Sequence, residues 1–188
     1  TELNNSNDAK AWLEKKLACE NQMIIERSKQ YQDLEGMGTT VVCAMFFENK
    51  CLIAHLGDSR AYILHDQKLV QLTEDHSLVN ELVKRGEISA DEAKHHPQKN
   101  IVTRTLGISE SVSLDFDELI LGSGDKVMLC SDGLTNMVDD DVIEKVLQKD
   151  ESLDDQCQEL IAKANENGGN DNITVLLADF SSKDGDMP

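Results

Sequence analysis

The chain has 188 residues, enough for one domain with a real core, since a domain of ~150 residues already buries roughly 70% of its unfolded surface. Its 36 acidic residues outnumber 18 basic ones, for a formal net charge of -18, and no Lys/Arg stripe occurs. Nucleic acid and anionic membranes both require a basic footprint, so both are excluded as partners, while divalent cations suit the charge.

No run approaches the ~20 apolar residues of a membrane span and no charged-then-apolar leader opens the chain, so the expected location is the cytoplasm, without membrane insertion. Cys19, Cys43, Cys51, Cys130 and Cys157 are odd in number and show no C-x-x-C spacing. They are expected to be reduced core residues rather than zinc ligands or disulfides.

From about residue 8 to 34, Trp12, Leu13, Leu17, Ile24, Ile25 and Tyr31 recur near helical spacing, with Asn7 or Asp8 as N-cap and no Pro or Gly inside. This predicts one long amphipathic helix ended by Gly36 and Gly38. T-T-V-V-C-A-M-F-F, an E-N-K turn and C-L-I-A-H-L then predict a hairpin. After G-D-S-R, the runs A-Y-I-L and L-V-Q-L flank an H-D-Q-K turn and extend the same antiparallel meander.

Residues 73–107 read as a polar helical excursion between strands. One helix covers 77–85 and stops at Gly86, and Ser89 with Glu92 forms a capping box for another that ends before Pro97. Strands return at 112–121 and 126–131 around a G-S-G-D turn. Two helices follow, capped near Asp139 and Ser152 and ended by Asn167-Gly168-Gly169. The last run, I-T-V-L-L-A-D-F, predicts a strand buried on both faces. The class is α+β, one domain over 1–180 with a loose tail at 181–188.

Asp132 follows an apolar strand and Asp171 precedes the last one. If those strands are antiparallel neighbours, both carboxylates reach one sheet edge, and Asp58, in a turn between strands, can approach it. Hard oxygen ligands so placed suit Mg²⁺ or Mn²⁺. Asp-Gly and Asn-Asp-Asn are also ordinary turn sequences, and spacing alone leaves both readings open.

The segments G-M-G-T-T (36–40), G-D-S-R-A-Y (57–62), L-T-E-D-H-S-L-V (72–79), T-R-T-L-G (103–107), S-D-G-L-T (131–135) and G-G-N-D-N-I-T-V (168–175) occur in the order seen in bacterial PPM (type 2C) protein phosphatases. The chain resembles that family over about 36–180. The resemblance implies a β-sandwich flanked by helices with a binuclear Mn²⁺/Mg²⁺ centre at one end. It implies that Asp132 and Asp171 bind the first metal and that Asp58 shares a third with Asp132. Asn136 stands where many members carry Asp.

The implied reaction is hydrolysis of phosphoserine and phosphothreonine on proteins, the substrates of a serine/threonine kinase, by a metal-bridging water. The excursion corresponds to the family's flap beside the active site, which makes Arg104, His95 and His96 candidate substrate contacts. Each has a plainer reading as a solvated residue or, for Arg104, a tie to the body of the domain. His55 and His76 read as a sheet and a turn residue.

Family members begin with strands carrying an R-x-x-N-E-D-like motif and D-G-M-G-G, and neither motif is in this sequence. Glu35-Gly36-Met37-Gly38 is no substitute, because its continuation into T-T-V-V matches the later motif. The expectation is therefore a sandwich without its N-terminal strands, weak in metal binding and activity. A non-catalytic binding or regulatory domain of the same fold is the alternative, and the retention of Asp58, Asp132 and Asp171 favours the enzyme. Another kind of metal-dependent phosphohydrolase would not explain the ordered motifs.

Overall fold

A computed structural model describes residues 5–47 and 49–180, so the tail expected at 181–188 lies outside the described residues. Helix α1 (Ser6–Gln30) starts earlier than the sequence suggests: the Asn5 side chain accepts a hydrogen bond from the Asp8 amide (3.0 Å) and is the N-cap. Leu13, Leu17 and Ile24 of this helix pack on the first sheet, whereas Trp12 and Tyr31 face outward. The chain leaves the helix at Tyr31, in extended conformation, and a 3₁₀ turn (Gln32–Leu34) leads to Gly36.

Strands β1 (Val41–Phe47), β2 (Lys50–Leu56), β3 (Arg60–His65), β4 (Lys68–Gln71), β5 (Asp115–Ile120), β6 (Lys126–Cys130) and β7 (Val175–Asp179) form two antiparallel sheets. Their orders are β1-β2-β5 and β4-β3-β6-β7. Alternation along each strand builds the layers. Cys51 and Ile53 point inward to meet Ala61, Ile63 and Val127 of the other sheet. Ala54 and Leu56 point outward to α1.

On the far side, Tyr62, Leu64, Met128 and Cys130 pack beneath the short α4 (Asp132–Thr135), α5 (Asp140–Leu147) and α6 (Leu153–Glu166). The layering is helix, sheet, sheet, helix. Leu134, Ile143, Leu147 and Leu160 are fully buried there, each contributing ~1.5–3 kcal/mol relative to an exposed side chain.

Three expectations are corrected by this arrangement. The meander does not continue past β2, because β2 pairs with β1 and β5 while β3 pairs with β4 and β6. Residues 57–59 carry the chain from one sheet to the other, and Gly57 makes that bend at φ +110°, where a Cβ would also overlap the Thr40 side chain. Strand β7 is an edge strand among the described residues, with Leu176 52% exposed, so it is not buried on both faces. Cys19 lies on the surface, unlike the buried Cys51 and Cys130; all five thiols are free.

The excursion contains α2 (Leu78–Lys84) and α3 (Ala90–Lys94), capped by Ser77 and by the reciprocal Ser89/Glu92 box. Its two ends are stitched together by Leu78 N–H to Ile101 O (2.9 Å) and Thr103 N–H to His76 O (2.8 Å). Among the described residues no helix is long and apolar enough to cross a membrane.

Candidate metal centre

The antiparallel pairing of β6 with β7 sets Cys130 opposite Val175, so the segment leaving β6 meets the segment entering β7. Ser131 fastens them: its N–H donates to Thr174 O (3.1 Å), its hydroxyl donates to Asn172 O (3.1 Å) and accepts from Thr174 N–H (3.0 Å). Gly133 is required beside it, because a Cβ there would overlap the Asn172 carbonyl. That close approach brings Asp132 and Asp171 to one end of the sandwich. The crossover between the sheets brings Asp58 to the same end.

Asp58, Asp132 and Asp171 line a single pocket of about 350 Å³ with Thr40, Lys99 and Asn136. Burial, and then the charge of Asp132, pushes the Asp58 carboxyl up to about 6. Asp132 is likewise raised, by burial first and then by Asp171. Asn136 Nδ2 donates to Asp132 Oδ2 (3.1 Å), which orients that carboxylate. Thr40 Oγ1 and Ser59 Oγ share a hydrogen bond (2.9 Å) that ties β1's entry to the crossover.

A larger cleft of about 690 Å³ opens from Asp58 and Asp132 and runs between the excursion and α5, bordered by Lys94, His95, Lys99, Asp75 and Asp139. His95 therefore faces this cleft. His96 turns to its own backbone, its Nδ1 accepting from Gln98 N–H (3.1 Å). Arg104 lines neither cavity and instead grips Asp115, through Nη2 to Oδ1 (2.9 Å) and Nη1 to Oδ2 (3.2 Å), and donates to Ser113 O (2.5 Å).

Lys99 was not singled out by sequence. It is the cation lining the carboxylate pocket, and among the described residues its ammonium has no ion-pair partner. Polar Gln98-Lys99-Asn100 reads locally as a solvated segment, and only the folding-back of the excursion distinguishes it. Arg60 was also passed over. It holds Asp75 bidentately (2.8 and 2.7 Å) and donates to Tyr62 OH (3.0 Å), which in turn donates to Asp140 Oδ1 (3.1 Å).

A second cluster, His55, His76 and Asp115, has donor atoms within 4.8 Å of one another. It does not fit a metal. The two imidazoles are stacked at 4.8 Å and nearly parallel (11°), so their in-plane lone pairs cannot converge on one ion, and the Arg104 cation stands 2.6 Å from His76 Nε2.

Residues 2–178 match the family model for Protein phosphatase 2C. The Serine/threonine phosphatase stp of Listeria monocytogenes serotype 4b is 44% identical over 179 residues, spanning 95% of this chain and 71% of that protein. The solved serine/threonine phosphatase of S. agalactiae superposes with a TM-score of 0.90 at 40% identity, over 95% of this chain and 74% of that one. The catalytic domain of the serine/threonine protein phosphatase PstP, solved in complex with two manganese ions, gives 0.82 at 35% identity, over 92% and 71%. The antiparallel sandwich and its ordered motifs agree with these likenesses, and the chain belongs to the protein phosphatase 2C family of metal-dependent serine/threonine phosphatases.

Proposed function

We propose that this chain hydrolyses phosphoserine and phosphothreonine on proteins at the carboxylate pocket, with Mn²⁺ or Mg²⁺ held by Asp58, Asp132 and Asp171. The observation that carries this reading is the convergence of the three acids on one pocket in a phosphatase-family chain. The donor set fits: hard oxygens suit either ion, and acids whose ionised forms are disfavoured by burial and by neighbouring carboxylates gain from a cation's arrival. When bound, the ions supply Lewis acidity that lowers the pKa of water and offsets phosphoryl charge.

The protein's own groups do the rest. Lys99 meets a phosphate oxygen with its unpaired ammonium, and Asn136 fixes the orientation of Asp132. His95 and Lys94 border the cleft and contact the peptide on either side of the phosphoresidue. His96 and Arg104 support the excursion's shape, through Gln98 and Asp115 respectively. The partners are phosphoproteins made by a serine/threonine kinase, and the free thiols suit the cytoplasm.

The alternative reading is a non-catalytic regulatory domain of the same fold. Phosphate release from a phosphothreonine peptide separates the two. Mn²⁺-dependent release that a chelator stops and Asp132→Ala eliminates is the expected result. Release no greater than that of Asp132→Ala would replace the hydrolase by the binding module.

A further inference from the structure

The crossover that carries Asp58 is held from outside the pocket by one side chain. His76 and Gly57 are joined twice: the His76 N–H donates to Gly57 O (2.9 Å), and the Gly57 N–H donates to His76 Nδ1 (3.0 Å). A backbone N–H can only donate, so Nδ1 must be the acceptor and the ring proton must sit on Nε2. From there it is directed at Asp115 Oδ2, 2.9 Å away. Arg104 Nη1 lies 3.2 Å from the same oxygen and 2.6 Å from Nε2, so cation, carboxylate and imidazole meet at one point, while Arg104 Nη2 holds Asp115 Oδ1 (2.9 Å). His76 is 8% exposed, and its ring is stacked on His55.

The carbonyl of the same residue accepts from Thr103 N–H at the far end of the excursion. One residue thus joins three parts: the crossover next to Asp58, both ends of the excursion, and β5 through Asp115. Gly57, at φ +110° and lacking a Cβ, has no side chain to hold its own position. The orientation of the following residue depends on the hydrogen bonds made by its peptide groups.

We propose that His76 is a positioning residue for Asp58. Asp115 anchors the imidazole at Nε2, so that Nδ1 fixes the Gly57 amide and, through it, the carboxylate facing the pocket. This inference rests on the proposed metal role of Asp58.

The test is Mn²⁺ binding to this chain, followed by the electron paramagnetic resonance of the free ion, with four proteins compared: unaltered, Asp58→Asn, His76→Asn and His76→Gln. Asparagine places an acceptor near the position of Nδ1 but cannot reach Asp115. Glutamine reaches toward Asp115 but leaves the Gly57 amide without its acceptor. Thermal melts run alongside identify loss of fold.

Asp58→Asn is expected to weaken Mn²⁺ binding about tenfold, His76→Gln about three- to tenfold, and His76→Asn by less than twofold, with both His76 variants melting cooperatively. Unchanged binding in Asp58→Asn would overturn the metal role itself. With Asp58→Asn impaired, normal binding in His76→Gln would overturn the positioning role, as would equal impairment in the two His76 variants. A His76→Gln chain that fails to fold while His76→Asn folds but binds as weakly as Asp58→Asn would also overturn it.

Discussion

Replacing Asp58 by Asn is expected to stabilise the metal-free chain while impairing its proposed cation site. Burial and Asp132 raise the Asp58 pKa from 3.8 to about 6, and at 1.36 kcal/mol per unit this sets an upper limit of about 3 kcal/mol on the cost of ionising it at pH 7. The pocket is open to water, and screening reduces the figure to ~1–2 kcal/mol. For a chain of this size that is a rise in Tm of about 2–8 °C. Between about pH 4 and pH 6 the folded state holds a proton on Asp58 that the unfolded chain has released. Stability from this group is therefore full below that window and is lost as pH rises through it.

The assay is a set of thermal melts from pH 4 to 8, in chelator and in Mn²⁺. In chelator the variant is expected to melt above the parent at pH 7 and to converge with it near pH 4, with a shallower slope between. Asp132, also raised, keeps some slope in both proteins. In saturating Mn²⁺ the parent is expected to gain more than the variant, because a ligand that binds only the folded state stabilises it in proportion to its affinity. A variant that melts at or below the parent in chelator at pH 7 would refute the repulsion argument.

Two further substitutions probe the frame around the pocket. Arg60→Ala leaves Asp75 as a part-buried carboxylate without its bidentate partner and is expected to cost about 2–3 kcal/mol, read as a fall in denaturation midpoint at constant m-value. Gly133→Ala forces the β6 and β7 exits apart at Asn172. It is expected to weaken Mn²⁺ binding severalfold while the melt falls by only a few degrees, and calorimetric titration beside the melt checks both.

Local pattern made the elements legible. The 3.6-residue spacing marked α1, the β-branched runs marked the strands, and Ser77, Ser89 and Ser152 announced three helix starts. The sheet each strand joins was not legible, because period-2 alternation in A-Y-I-L is the same whether β3 continues a meander or crosses to the other sheet. The exposure of β7 was missed for a related reason: an apolar run signals burial only when neighbours cover both faces, and Leu176 is left bare at the edge.

At the candidate site, Asp132 and Asp171 were traceable to antiparallel neighbours, and Asp58 to a turn. Their shared pocket depends on the crossover at Gly57, which no local rule forecasts. The pairing of Arg104 with Asp115 was hidden because opposite charges eleven residues apart carry no mark of contact. Lys99 was hidden in a polar stretch whose fold-back depends on hydrogen bonds such as Leu78 to Ile101. The motif runs G-D-S-R and T-E-D-H owe much of their content to one joint, Arg60 with Asp75 and Gly57 with His76.

The most direct measurement of the central claim is the anomalous scattering of manganese in crystals of this chain grown with Mn²⁺. The expected result is a peak within coordination distance of Asp132 and Asp171, with Asp58 bordering the same density. Manganese bound instead at His55, His76 and Asp115, or no peak in the carboxylate pocket at saturating Mn²⁺, would contradict the account.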